Sequence, residues 1–177
     1  SLLRLLNRLQ EPSAGTIHLD GRPADSYEVT ELRRQLGFVQ QTPVMVDGTV
    51  RDNLLYPFRF KTRRGQSAPN DERLRSLLDE FLLEEVALQD DATSLSVGQK
   101  QRIALIRTLI IEPQVLLCDE PTSALDPRSK EIVEDALERA NGERGIGVVL
   151  VTHLDFVPKK IDVKRYEMRD GKLNETL

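Results

Sequence analysis

VLLCDEPTSALDPRSKEIVEDALERANGERGIGVVLVTH, residues 115–153, sets two apolar runs on either side of an amphipathic segment. VLLC (115–118) and GVVLV (147–151) are short, uncharged and rich in branched side chains, which suits buried strands. Between them, RSKEIVEDALERA (128–140) sets Ile132, Val133, Ala136, Leu137 and Ala140 at helical spacing. Asp126 and Pro127 supply an N-cap and a proline for the first turn of that helix. Strand, helix, strand with fully apolar strands predicts a parallel sheet covered on both faces.

Polar residues follow each strand directly. Asp119 and Glu120 follow VLLC, and Thr152 and His153 follow GVVLV. Upstream, LGFVQ (36–40) reads as a third buried strand, and Gln41 follows it. Open α/β sheets bind ligands beyond the carboxyl ends of their strands. Two carboxylates, an amide and an imidazole therefore converge on one sheet edge. The chemistry they suit is metal-assisted phosphoryl transfer. A carboxylate after an apolar strand anchors Mg²⁺, and a neighbouring carboxylate can polarise the attacking water.

The rest of the chain is read around this centre. SLLRLLNRL (1–9) predicts an amphipathic helix with Leu2, Leu5, Leu6 and Leu9 on its apolar face and Arg4, Asn7 and Arg8 opposite. TIHLDG (16–21) alternates like a strand, and VTELRRQ (29–35) is helical. QTPVMVDG (41–48) is a loop. From Thr49 to about Ile111 the pattern is helical with a break at 61–70, including helices over 71–86 and 97–112. In SLSVGQKQR (94–102), Ser96 and Gln99 form a capping box, and a capped helix start bearing Gly98 is also suited to a phosphate. VKRYEM (163–168) and the Asp170-Gly171 turn predict a closing hairpin.

Length allows one compact domain with a smaller subdomain. A net charge of −4 excludes a basic nucleic-acid footprint, so Arg59, Lys61, Arg63 and Arg64 are read as solvated surface. Cys118 has no second cysteine to pair with, and no apolar run reaches the ~20 residues that cross a bilayer.

In order, LSVGQ (95–99), VLLCDEPTSALD (115–126) and VLVTH (149–153) resemble the ATP-binding subunit of ABC transporters, a likeness extending through QTPVMVDGTVRDNL (41–54). The resemblance implies an α/β P-loop NTPase (RecA-like) core with a mostly parallel sheet, residues 1–48 and 112–177. A helical signature subdomain, 49–111, is inserted in it. It implies ATP and Mg²⁺ as cofactors. Asp119 and Gln41 would serve the metal, Glu120 would be the catalytic carboxylate, and His153 would be the switch histidine at the γ-phosphate. Ser96, Gly98 and Gln99 would bind ATP held by the opposite subunit, with Asp126 closing the D-loop. Val97 departs from the commoner Gly-Gly pairing.

The 177 residues contain no G-x-x-x-x-G-K-[ST]. In the family that loop directly precedes a helix resembling the opening stretch. The resemblance therefore implies a chain cut just after it, lacking the P-loop and N-terminal strands, and inactive as an ATPase on its own. The implied partners are a membrane subunit and a second ATP-binding subunit, head to tail, at the cytoplasmic side of the cell membrane. No nucleic-acid partner is implied. Residues 42–58 look closest to importers of phosphate-like anions and to metal-efflux ATPases. The alternatives are a non-transport ATPase of DNA maintenance or translation, or a non-catalytic remnant. The short span between Gln41 and Ser96 leaves no room for the long coiled coil of the chromosome type.

Overall fold

A computed structural model describes residues 2–60 and 67–176. Lys61, Arg63 and Arg64 of the basic cluster lie outside these residues. In chain order the elements are α1 (Leu2–Leu6), β1 (His18–Leu19), β2 (Arg22–Pro23), α2 (Val29–Gln35) and β3 (Leu36–Val39). Then come α3 (Val50–Leu55), α4 (Asp71–Glu80), α5 (Val97–Leu109) and β4 (Val115–Asp119). α6 (Pro127–Gly142), β5 (Gly147–Val151), β6 (Arg165–Arg169) and β7 (Lys172–Thr176) complete the chain.

β3, β4 and β5 form a parallel sheet with β4 in the middle. The pairing sets Val39 beside Cys118 and Asp119 beside Val151, so all three strands end at one edge. Side chains of β4 alternate between two cores, as a strand's two-residue period requires. Leu117 faces a small cluster with Leu3, Ala24, Tyr27 and Leu32. Leu116 and Cys118 face the main core, shared with Ile106 of α5 and with Val133 and Leu137 of α6. Each fully buried leucine contributes about 1.5–3 kcal/mol. The sheet edge is therefore held by both layers of helices. Burial pushes the Cys118 thiol pKa up, so it is an inert core residue.

Several expectations need correction. α1 stops at Leu6 with Leu3 as its one buried residue; Leu2, Leu5 and Leu6 are half-buried, Leu9 is exposed, and the next buried side chain is Asn7, just past the helix end. Arg8 turns the chain at φ 49°, with Arg8 N–H bonded to Leu5 O and Leu9 N–H to Arg4 O. The helix over 71–86 stops at Glu80 in the same way. Leu82 sits at φ 50°, Leu82 N–H donates to Asp79 O, and Leu83 N–H donates to Leu78 O. Both are Schellman closures, which normally carry glycine at the left-handed position. Here Arg and Leu occupy it, so the usual stop signal is missing from the sequence. Finally, β5 is not covered on both faces: Val149 and Val151 are 39% and 40% exposed.

TIHLDG shrinks to the two-residue β1, paired with β2 through a turn in which Asp20 and Gly21 both have positive φ, as type I′ demands. The closing hairpin forms as expected, β6 against β7, around Asp170-Gly171 with the same signs of φ.

Candidate functional site

β3 delivers Gln41, β4 delivers Asp119 and Glu120, and β5 delivers His153 to the common edge. Glu120 leaves β4 at φ 47°, a conformation disfavoured for a residue with a Cβ, while its N–H still bonds Val151 O at 2.8 Å. Such strain persists only where surrounding contacts impose it. Three groups converge on Glu120. His153 Nδ1 lies 2.8 Å from Glu120 Oε2. A carboxylate only accepts, so Nδ1 carries the proton and Nε2 is left for a ligand. Gln41 Nε2 donates to the same Oε2 at 3.4 Å and to Ser123 Oγ at 3.1 Å. Ser123 Oγ in turn donates to Glu120 O at 3.2 Å. Gln41, Glu120 and His153 are therefore one cluster, and Ser123 is a member that the sequence offered only as the third residue after Glu120.

The neighbouring Gln40 points its backbone elsewhere: its carbonyl accepts from Gln101 Nε2 at 3.2 Å. Between the two adjacent glutamines, the one aimed at the carboxylate is Gln41. Among the described residues no group of three or more His, Cys, Asp or Glu side chains could hold a metal alone. A hard Mg²⁺ ion takes oxygen donors, and at this edge Asp119 offers a carboxylate and Gln41 an amide oxygen.

Ser96, Gly98, Gln99 and Asp126 form a second locus. The Ser96–Gln99 capping box is present, with Gln99 N–H donating to Ser96 Oγ at 3.2 Å and Ser96 N–H to Gln99 Oε1 at 2.8 Å. Gln99 Nε2 also reaches Glu85 Oε1 at 3.2 Å. Gly98 packs on the start of α6, where a Cβ would come within 2.8 Å of Ser129 Oγ. Asp126 caps α6 by accepting from the N–H groups of Arg128 and Ser129 at 3.1 Å each. Hydrogen bonds from Ser129, side chain first, hold its carboxyl below the usual range. Two helix N-termini thus meet, with Ser96 and Val97 exposed beside them.

Three further residues position these parts and carried no signal of their own. Asn53 is fully buried: it bonds Val46 through both N–H and C=O at 2.9 Å, donates to Thr49 O and accepts from Arg107. It fixes the loop after Gln41. Arg102 ties the start of α5 to the end of α4 by bonding Gly98 O, Phe81 O and Leu82 O. Gln101 lies between the two loci. Beside Gln40 runs a groove of about 490 Å³, lined by Val44, Tyr56 and Phe60 together with Arg33, Arg34 and Arg107. Burial pushes the Arg107 pKa down.

A family model described as "ABC transporter" matches residues 1–123. "ABC transporter I family member 17" of Arabidopsis thaliana is 42% identical over the whole chain, which spans 66% of that relative. The chain spans about half or less of the other curated relatives it matches, such as 43% and 53%. Among solved structures, cbiO1 from Clostridium perfringens, part of the complex cbiONQ, superposes with a TM-score of 0.77 at 29% identity, over 98% of this chain and 69% of that one. A dimeric ATP-binding cassette, MJ0796, in a post-hydrolysis state bound to ADP and Pi, superposes with a TM-score of 0.71 at 31% identity, over 86% and 68%.

Proposed function

The chain belongs to the ABC transporter family, and on that premise we propose that it is the part of an ATP-binding, ATP-hydrolysing subunit that supplies the catalytic carboxylate and the signature helix. The observation that carries this is the cluster on Glu120. Its Oε2 is held by His153 and Gln41, while no other hydrogen bond to the side chain is present among the described residues. Oε1 then accepts the proton of an attacking water. His153 Nε2 faces the transferred phosphoryl group, and Gln41 orients the water. Asp119 and Gln41 would hold Mg²⁺, which would supply neutralising charge to the phosphates.

The second locus serves a different nucleotide. Capped N–H groups at the start of α5, with Gly98 and Asp126, bind ATP held by a second ATP-binding subunit arranged head to tail. Residues 1–48 and 112–177 act as the ATPase core, and 49–111 as the helical signature part. The groove between Gln40 and Phe60 receives a separate membrane subunit, so that the Gln41 loop couples hydrolysis to transport. Its apolar side chains and three arginines support that assignment. No helix of the described residues is long and apolar enough to cross a membrane. The family reading places the subunit at the cytoplasmic side of the cell membrane, as a peripheral component beside that membrane subunit.

The 177 residues contain no G-x-x-x-x-G-K-[ST], so the test joins them, ahead of Ser1, to a strand and loop bearing that motif. MgATP turnover by the joined protein should fall about 10²–10⁴-fold in Glu120→Gln, the range for loss of a general base. Unchanged turnover with intact ATP binding would overturn the proposal.

A further inference from the structure

Gln101 is 1% exposed in the third position after Gly98 on α5. Its Nε2 donates to Gln40 O, reaching from the signature helix to the strand exit that carries Gln41. Its Oε1 is buried with no hydrogen-bond partner among the described residues. Leaving such an acceptor unpaired costs about 1–3 kcal/mol. An apolar side chain of the same length would avoid that cost and still fill the space. A buried amide that is half satisfied is therefore poor packing chemistry, and its one satisfied bond is the informative half.

We infer that Gln101 is a positioning residue, which holds the Gln40 carbonyl so that the Gln41 amide faces Glu120 and Ser123. The bond ties the helix bearing Ser96, Gly98 and Gln99 to the glutamine of the carboxylate cluster. The two loci thus communicate within one chain through a single amide. Among the described residues no other side-chain hydrogen bond joins α5 to Gln40 or Gln41; Arg107 and Thr108, further along α5, bond Val44, Asn53 and Ala104. The inference rests on Gln41 belonging to the catalytic cluster.

The test uses the chain itself and reads the cluster rather than turnover. The chain has two histidines, His153 on Glu120 and His18 on β1, so NMR of the imidazoles provides a reporter and an internal control. Gln101→Met removes both the donor and the orphaned acceptor. It should leave the melting temperature unchanged or raised, yet displace the His153 ring signals and the Gln41 side-chain amide signals. Gln41→Ala should displace His153 in the same direction, and the double variant should add nothing further. His18 should not move. Unmoved His153 and Gln41 signals in a folded Gln101→Met would overturn the inference, as would full additivity. Should that variant not fold, the unsubstituted chain decides: slow exchange of the Gln101 side-chain amide protons is expected, and rapid exchange overturns it. Failure here leaves the Glu120→Gln turnover test untouched, so the two can be told apart.

Discussion

Gly98→Ala separates two reasons for a glycine at the start of α5. In an ordinary helix interior, alanine is better than glycine by about 0.5–1 kcal/mol. At Gly98 the added Cβ would stand 2.8 Å from Ser129 Oγ, 3.3 Å from Ser129 Cβ and 3.7 Å from Asp126 Oδ2. Ser129 is buried, so its side chain has little room to move away. Overpacking of this kind costs about 1–3 kcal/mol. Setting the helix gain against that loss gives a net destabilisation of about 1–2 kcal/mol. For a chain of this size each kcal/mol lowers Tm by about 2–4 °C. Urea unfolding of Gly98→Ala, Ser129→Gly and the double variant measures it. The double variant should recover part of the loss, because the clash partner is gone. If Gly98→Ala stabilises the chain as in a free helix, the packing argument fails, and close backbone approach to a ligand becomes the reason for the glycine.

Other consequences follow from single contacts. The Asp126 carboxyl is held low by Ser129, so its cap on α6 is fully present above the unfolded-state value of about 4 and is lost as pH falls through the lower folded value. The stability difference between the chain and Asp126→Asn should thus be constant at neutral pH and shrink only below about pH 4; a difference that changes between pH 6 and 8 would contradict it. Asn53→Ala strands the polar groups of Val46 and Thr49 and one nitrogen of Arg107. It should cost about 2–4 kcal/mol in urea unfolding, and a loss within 0.5 kcal/mol would refute the account of that loop. Leu82→Gly relieves a left-handed backbone at φ 50° and should stabilise by about 0.5–1 kcal/mol. A destabilisation would mean that the 42%-exposed side chain packs better than its exposure implies.

Much of the sheet was legible because β3, β4 and β5 are fully apolar runs with polar residues directly at their ends. The caps were legible too: Ser96 with Gln99, and Asp126 with Pro127, place the starts of α5 and α6 to the residue. The stops of α1 and α4 were not. A Schellman closure is a backbone event, and with Arg8 and Leu82 at its left-handed position no side chain announces it. The buried side of α1 was misjudged for a related reason. Asn7 is polar yet buried, bonding Leu36 O, and that partner lies across the fold. The cluster on Glu120 could be anticipated as a convergence of strand ends, and the Gln-x-Pro spacing already favoured Gln41 over Gln40; its side chain does reach Glu120 and Ser123. Ser123, Asn53 and Gln101 act through backbone partners that no local pattern names.

The most direct test of the account is whether one nucleotide site draws on two chains. In a head-to-tail arrangement, Glu120 of one subunit works with Ser96 of its partner. Joined to a phosphate-binding loop as above, Glu120→Gln and Ser96→Glu should each abolish MgATP turnover, the second by placing a carboxylate where phosphate binds. Mixing the two inactive proteins puts both defects in one site of each mixed dimer and leaves the other site intact. The account predicts that turnover reappears on mixing. A mixture as inactive as its components would contradict it, because each chain would then complete its own site.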